Sequence, residues 1–470
     1  MAKKFDKNEL KKLTEELLVN RRNGFFQMED ETVKKADEFC EDYKAFLNIS
    51  KTEREVVVYA LKAAKKEGFV PFDPEKKYKA GDKVYYNNRG KALILAVIGR
   101  NGCKNGVRIA AAHIDSPRLD LKPRPLYEKD NMAFFKSHYY GGIKKYQWTA
   151  IPLAMHGLVV RKDGVSVEIR IGEEEGEPQF CVTDLLPHLS SEQMEKKLSK
   201  AIEAENLNIV FGSRPVRADE GENLVKLNVM RLIHEKYGMT EEDFVSGDIE
   251  FVPAFKAVDV GFDRSMIGAY GHDDRVCAYP ALLAALHVET PESTILTVLA
   301  DKEEIGSDGN TGLNSQFMRY FISDMAQAEG LESRHVLSKS KCLSTDVTAA
   351  FDPNYADVYE PNNSCYINNG VGMAKYTGSR GKNGSSEATA ELVSEIRNIF
   401  DKNNVLWQIG EMGRVDAGGG GTVALYIANL NVDVLDVGVP VLSMHSPFEV
   451  VSKLDVYMTY KGIKAFYEAK

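Results

Sequence analysis

Five places along the chain put metal-capable side chains beside an apolar run or a turn: His113 with Asp115, Asp273 with Asp274, Glu303 with Glu304, Asp346, and His445. Two imidazoles with three or more carboxylates suit a pair of divalent ions. Zn²⁺, Co²⁺ and Mn²⁺ accept such mixed nitrogen and oxygen donors, whereas Mg²⁺ seldom takes two imidazoles. The adjacent Glu303-Glu304 pair points to a division of labour. Neighbours on an extended chain face opposite ways, so one carboxylate can hold metal while the other stays free to carry a proton. No local zinc signature such as H-E-x-x-H is present, so a site has to be assembled from distant segments. Taken singly, each residue has a plainer reading. Glu303-Glu304 can be a solvated acidic turn, His113 a buried histidine bonded to Asp115, and Asp274 the cap of a helix starting at Arg275. Asp346 can be a turn carboxylate and His445 a strand-end surface histidine.

The elements that must position these residues are mostly strands. Ser293–Ala300 is apolar or β-branched and reads as a buried parallel strand ending at Asp301-Lys302-Glu303-Glu304. Val107–Ala112 runs straight into His113, and Asp436–Ser443 delivers His445. The ends of such strands are where open α/β sheets bind ligands. Arg275–His287 reads as a helix, and Lys83–Tyr86 and Ala92–Gly99 as strands around the turn Asn87–Gly90.

The first ~70 residues look helical. Ser50 and Glu53 fit a capping box, followed by Val56, Val57, Ala60, Leu61 and Ala64 at helical spacing and by Gly68 as a stop. From Pro125 the character changes. Tyr139-Tyr140-Gly141-Gly142 is turn-rich, and Leu158–Arg161 and Val165–Ile171 flank a hairpin turn. Helical stretches are expected at about 190–205 and 223–237, and buried-strand character returns near Phe251. The segment 125–251 therefore reads as a β-rich insertion into an α/β domain made of 1–124 and 252–470. Later, Ser385-Ser386 reads as the cap of a helix through about Phe400, Val405–Ile409 as a strand, and Gly421–Ala424 as another helix start.

Composition excludes several classes. The 470 residues carry a formal net charge of −9, with 43% hydrophobic and 27% charged residues, and no basic stripe for nucleic acid. Cysteines at 40, 103, 181, 277, 342 and 365 show no C-x-x-C spacing, which suits a reducing compartment rather than a disulfide frame or thiolate zinc site. No apolar run of about 18 residues and no secretory core is evident, so a cytoplasmic protein without membrane contact is expected. Gly418–Thr422 holds four glycines but lacks the G-K-[ST] ending of a phosphate loop, and reads better as a close-approach wall for substrate.

Read in order, His113-Ile114-Asp115-Ser116-Pro117, Asp273-Asp274-Arg275, Glu303-Glu304-Ile305-Gly306-Ser307, Thr345-Asp346-Val347-Thr348 and His445-Ser446-Pro447 resemble the co-catalytic dizinc aminopeptidases, most closely the M18 family typified by aspartyl aminopeptidase. Asp352–Tyr355 with Glu360–Asn362, and Gly81-Asp82-Lys83, look like further segments of that family. The resemblance implies a zinc-peptidase α/β/α sandwich with a mixed sheet, interrupted by an insertion that builds dimers and, from them, a dodecamer. It implies two divalent ions per subunit, zinc with cobalt or manganese as alternatives. Asp273 would bridge them, His113 and Asp346 would hold one, and Glu304 and His445 the other. Asp115 would orient His113, and Glu303 would be the general base for a metal-held water.

Substrates would be peptides, cleaved at their N-terminal residue. Lys375, in Asn369–Tyr376, resembles the family lysine that meets an acidic substrate side chain, although Ser379–Gly384 departs from the family's wording. His156, in Ile151–His156, resembles a family histidine lent to a neighbouring subunit's active site, with a structural histidine as the alternative. Other functions open to the same sequence are a dimetal carboxypeptidase or deacylase, and a catalytically silent binding or scaffold protein.

Overall fold

Four parallel strands, Ile295–Ala300, Arg108–His113, Lys341–Ser344 and Asp433–Gly438, lie side by side at the centre of a nine-stranded sheet. They come from a computed structural model that describes residues 5–19 and 22–470. Register lines up their carboxyl ends on one edge: Ala300 sits opposite His113, Ala111 opposite Ser344, and Ser344 opposite Asp436. Antiparallel Ala92–Val97 and Lys83–Asn88 extend one flank, and Val371–Ala374 with Trp407–Ile409 the other.

Both faces of the central strands are covered, which is why they read as unbroken apolar runs rather than alternating ones. Ala110, Ala112, Leu299 and Leu343 face one core, under the helices Asp30–Ile49, Glu53–Lys66, His272–Leu286, Ala390–Lys402 and Lys453–Glu468. Ile109, Ala111, Val298 and Cys342 face the other, under Phe317–Ala328, Ser333–Leu337 and Ala424–Ala428. The architecture is the expected α/β/α sandwich with a mixed sheet.

A second, wholly antiparallel sheet of seven strands is drawn from residues 118–253. Its strands Arg118–Lys129 and Gly247–Pro253 pair with each other and run past both ends of the 125–251 segment. The early end is obscured by Pro123 and Pro125, which lack an N–H and lie where the pairing of Arg118–Lys129 slips between Leu121 and Leu126. Phe135, Phe180, Phe211 and Phe251 fill this sheet's own core together with the helix Leu224–Tyr237. A third sheet of five short strands includes Met266–Ala269, Glu449–Ser452 and Pro440–Leu442, and sets Ala269 opposite Glu449.

Several local expectations need correction. The capping box belongs to Thr52 and Glu55: Thr52 Oγ1 accepts from Glu55 N at 3.3 Å, and the Glu55 carboxylate accepts from Thr52 N at 3.1 Å. The stretch 190–205 is broken into single turns, Ser191–Met194 and Leu198–Ala201, because Leu189, Met194 and Leu198 stay exposed and no apolar face is buried. The later helix is capped by Thr389 rather than Ser385 or Ser386, and spans Ala390–Lys402. All six cysteines are free, and among the described residues no helix is long and apolar enough to cross a membrane.

Candidate metal centre

The carboxyl edge of the four parallel strands gathers His113, Glu303, Glu304, Asp346 and His445, and Asp273 joins them from the start of His272–Leu286. His113 is the last residue of its strand. Glu303 and Glu304 form a tight turn between Lys302 and Gly306, both with left-handed backbone. Asp346 follows Lys341–Ser344 by two residues. Gly438 lets that turn close, since a Cβ there would lie 1.6 Å from the Asp346 carbonyl oxygen.

Asp273 is the centre of the arrangement. Its Oδ1 lies 3.1 Å from His113 Nε2 and its Oδ2 3.1 Å from His445 Nε2. His113 Nε2 is also 3.8 Å from Asp346 Oδ1 and 3.9 Å from Glu303 Oε2, while His445 Nε2 is 3.6 Å from Glu304 Oε1. The pair sits in a tight turn rather than on an extended chain, with Glu303 Oε2 nearer His113 and Glu304 Oε1 nearer His445. Ligand-capable atoms fall into three groups within 4.8 Å: His113, Asp273 and Asp346; His113, Glu303 and Glu304; Asp273, Glu304 and His445. The donor set fits divalent cations. It is nitrogen and oxygen only, with four carboxylates to two imidazoles. Among the described residues no lysine or arginine bridges to these carboxylates, and buried Glu304 Oε1 has no hydrogen-bond partner.

Asp115 holds the site from beneath. Its Oδ1 accepts from Glu303 N at 3.1 Å and lies 3.3 Å from His113 Nδ1; its Oδ2 accepts from Glu304 N at 3.2 Å and from Tyr140 Oη at 2.8 Å. His113 Nδ1 is also 3.0 Å from the Asp115 carbonyl oxygen. Burial opposes ionisation of Asp115, yet the contacts from His113 and Tyr140 keep its carboxyl below the ordinary range. Tyr140 ends the strand Met132–Tyr140 of the second sheet and lies under the Arg118 guanidinium, 3.8 Å from the ring centre.

Residues that sequence reading passed over complete the frame. Glu449 accepts from the backbone N–H of both Asp273 and His445, and the Gly142 carbonyl receives His445 Nδ1 at 2.8 Å. Asp274 does not cap its helix through its side chain; Oδ2 accepts from His113 N at 3.3 Å. The run Tyr139–Gly142 looked like a mere turn. It is the contact between the second sheet and the centre, and Gly141 matters there because a Cβ would sit 3.0 Å from Glu304 Oε2.

Two expected residues lie elsewhere. His156 is 1% exposed, with Nδ1 2.8 Å from Glu55 and Nε2 3.0 Å from Glu173, so neither nitrogen is available to a neighbouring subunit's substrate. Of its two readings, the structural histidine describes it. Lys375 is exposed. A cleft next to Asp346 is lined by its neighbours Ala374 and Tyr376, with Arg380, Glu411 and Arg414, but not by Lys375 itself. Lys375 lies one residue past the end of the strand Val371–Ala374.

Fold and donors together define a metal-dependent hydrolase built on an α/β/α sandwich. Residues 46–467 match the family described as Aminopeptidase I zinc metalloprotease (M18). A Clostridium acetobutylicum protein named "Probable M18 family aminopeptidase 1" is 47% identical over 459 residues, covering 96% of this chain and 99% of that one. The crystal structure of aminopeptidase I from Clostridium acetobutylicum superposes with a TM-score of 0.90 at 44% identity, covering 96% of this chain and all of that one. An M18 aminopeptidase structure from Thermotoga maritima gives a TM-score of 0.91 at 42% identity, with the same coverage. The chain belongs to the M18 family and is a metal-dependent aminopeptidase.

Burial pushes the Glu303 carboxyl up to about 7 and those of Glu304 and Asp346 well above the ordinary range. Burial disfavours charge on His113 and His445 too, but their carboxylate neighbours win: His113 is held well above its usual value and His445 is raised to about 10. All five groups bind protons more tightly folded than unfolded. The stability they contribute is complete below their ordinary values and is lost as pH rises through the folded ones. Asp115 and Asp273, held low, are ionised in both states above about pH 5 and add no slope there. Protein stripped by chelation should therefore show a falling Tm from about pH 5 to about pH 8. A flat or rising Tm in calorimetric scans of the stripped protein would contradict these environments.

Proposed function

We propose that this aminopeptidase holds two divalent ions, zinc by family, and removes N-terminal residues from peptides with Glu303 as general base. The observation that carries the reading is Asp273, whose two oxygens each face a different histidine. Asp273 would bridge, with His113 and Asp346 on one ion and Glu304 and His445 on the other. The chemistry such ions supply when bound is Lewis acidity, which makes water a better nucleophile near neutral pH and polarises the scissile carbonyl.

The chain's own residues supply the rest. Glu303 is partly exposed at the mouth of the cluster and its carboxyl titrates near neutrality, suited to taking a proton from the attacking water and returning it to the leaving amine. Its position is fixed by the bond from its own N–H to Asp115. Replacing Glu303 by Gln should lower kcat by roughly 10²–10⁴ while zinc content stays at the wild-type level. Unchanged hydrolysis of aminoacyl anilides would sink the general-base role, and cleavage only of N-acetylated substrates would favour a deacylase.

For the first substrate residue we propose an acidic side chain, received in the cleft beside Asp346. Arg380 and Arg414 line it and make no ion pair among the described residues, whereas Glu411 is engaged by Tyr376 Oη at 2.5 Å. A panel of Asp-, Glu-, Leu- and Lys-anilides should show preference for the acidic pair. Arg380→Ala should abolish that preference and Lys375→Ala should leave it. A wild-type preference for Leu refutes this assignment.

The enzyme is further proposed to be a homo-oligomer built from dimers into a dodecamer. A yeast aminopeptidase 1 structure described as a dodecamer shares the fold at a TM-score of 0.75 and 19% identity. Leu189, Met194 and Leu198, 68%, 75% and 61% exposed on the second sheet's connecting segment, offer apolar surface for such contacts. Sedimentation should show one large species that the double variant Met194→Glu, Leu198→Glu shifts to smaller ones. A monomeric wild type would end the proposal.

A further inference from the structure

Glu449 is 1% exposed and has no lysine or arginine beside it among the described residues. Its carboxylate is held wholly by main chain: Oε1 accepts from His445 N at 2.7 Å and Oε2 from Asp273 N at 3.1 Å. Burying a carboxylate without a cation is expensive for a fold, and an apolar or amide side chain of the same length would avoid the cost. A glutamine cannot replace it here. Its amide has one acceptor oxygen, so its NH₂ would face a second N–H donor. The geometry demands two acceptors from one side chain.

What those acceptors hold is the relevant point. Asp273 enters from the helix His272–Leu286, and His445 from the loop after Pro440–Leu442, where it takes a left-handed backbone with φ of 64°. That conformation is uncommon for a residue with a side chain, though histidine takes it more readily than most. Glu449 is the first residue of Glu449–Ser452, and its pairing with Ala269 anchors it in the third sheet. One carboxylate thus ties together the main chains of Asp273 and His445, between which no direct backbone hydrogen bond is made among the described residues.

We infer that Glu449 is a positioning residue for metal binding, setting the distance between the main chains of Asp273 and His445 and hence the 3.1 Å gap between Asp273 Oδ2 and His445 Nε2. The inference rests on the proposal that those two side chains share an ion. The partners that orient ligands in this way typically govern metal affinity by 10–100-fold.

The test compares wild type, Glu449→Gln and His445→Ala in the full chain. Zinc affinity is measured by competition with a chromogenic chelator, Tm on the metal-free protein, and kcat and KM at saturating zinc. Glu449→Gln should weaken zinc binding by about 10–100-fold, recover most of kcat at saturating zinc, and lower the metal-free Tm only by what one unpaired buried N–H accounts for. Zinc affinity within twofold of wild type overturns the inference, as does a kcat that saturating zinc does not restore, since that marks a merely structural role. His445→Ala separates the two levels: if it leaves zinc affinity intact, the metal-site reading fails; if it weakens zinc and Glu449→Gln does not, this inference fails alone. Should Glu449→Gln not fold, the same comparison passes to Glu449→Asp, which keeps the charge but is too short to reach both N–H groups.

Discussion

Like charge crowded where no basic side chain can answer it is the constraint on which the rest of the structure depends. Asp273, Glu303, Glu304 and Asp346 converge on two imidazoles, and no lysine or arginine is paired with any of them among the described residues. Left to itself such a cluster would push its members apart or hold them protonated. It persists because every member sits on backbone that cannot yield. Parallel strands locked from both faces end at the cluster, a tight turn follows one of them, and a helix start braced by a third sheet supplies Asp273.

Two further carboxylates hold that backbone. Asp115 binds the N–H groups of the Glu303-Glu304 turn, and Glu449 binds those of Asp273 and His445. The division between acids that face the ligand and acids that face the main chain gives the centre its rigidity. The second sheet takes part as well. Tyr140 reaches Asp115 and the Gly142 carbonyl meets His445, so the seating of that sheet and the shape of the centre are linked. Arg118, at the base of the sheet, stacks on Tyr140 and is itself paired with Asp120 and Glu250.

Much of this was legible in the sequence, because buried parallel strands leave long apolar runs and the chemistry sits at their ends. His113, Glu303, Glu304, Asp346 and His445 all follow such runs, and the family pattern is an ordered series of short motifs that survives in linear order. What stayed hidden depended on contacts between distant segments. Glu449 looks like an ordinary glutamate at a strand start, and only the pairing of Ala269 with its strand brings it to Asp273. Tyr140 lay in a segment rich in glycine and tyrosine that read as a turn. Lys375 and His156 were placed by motif alone. The first lies just past the end of its strand and outside the lining of the cleft, and Glu55 with Glu173 encloses the second. The helix at 190–205 failed because its leucines and methionine have nothing within the chain to pack against.

The donors span the chain from His113 to His445, and the central strand order interleaves early and late segments: Arg108–His113 lies between Ile295–Ala300 and Lys341–Ser344. Contacts of such high order in sequence form late in folding. A ribosome-bound chain that has not yet released the strand Asp433–Gly438 and His445 possesses only part of the donor cluster, however well its earlier halves have collapsed. Without His445 the cluster lacks one of its two imidazoles, so its full set of side chains can come together only after the polypeptide has emerged past residue 445.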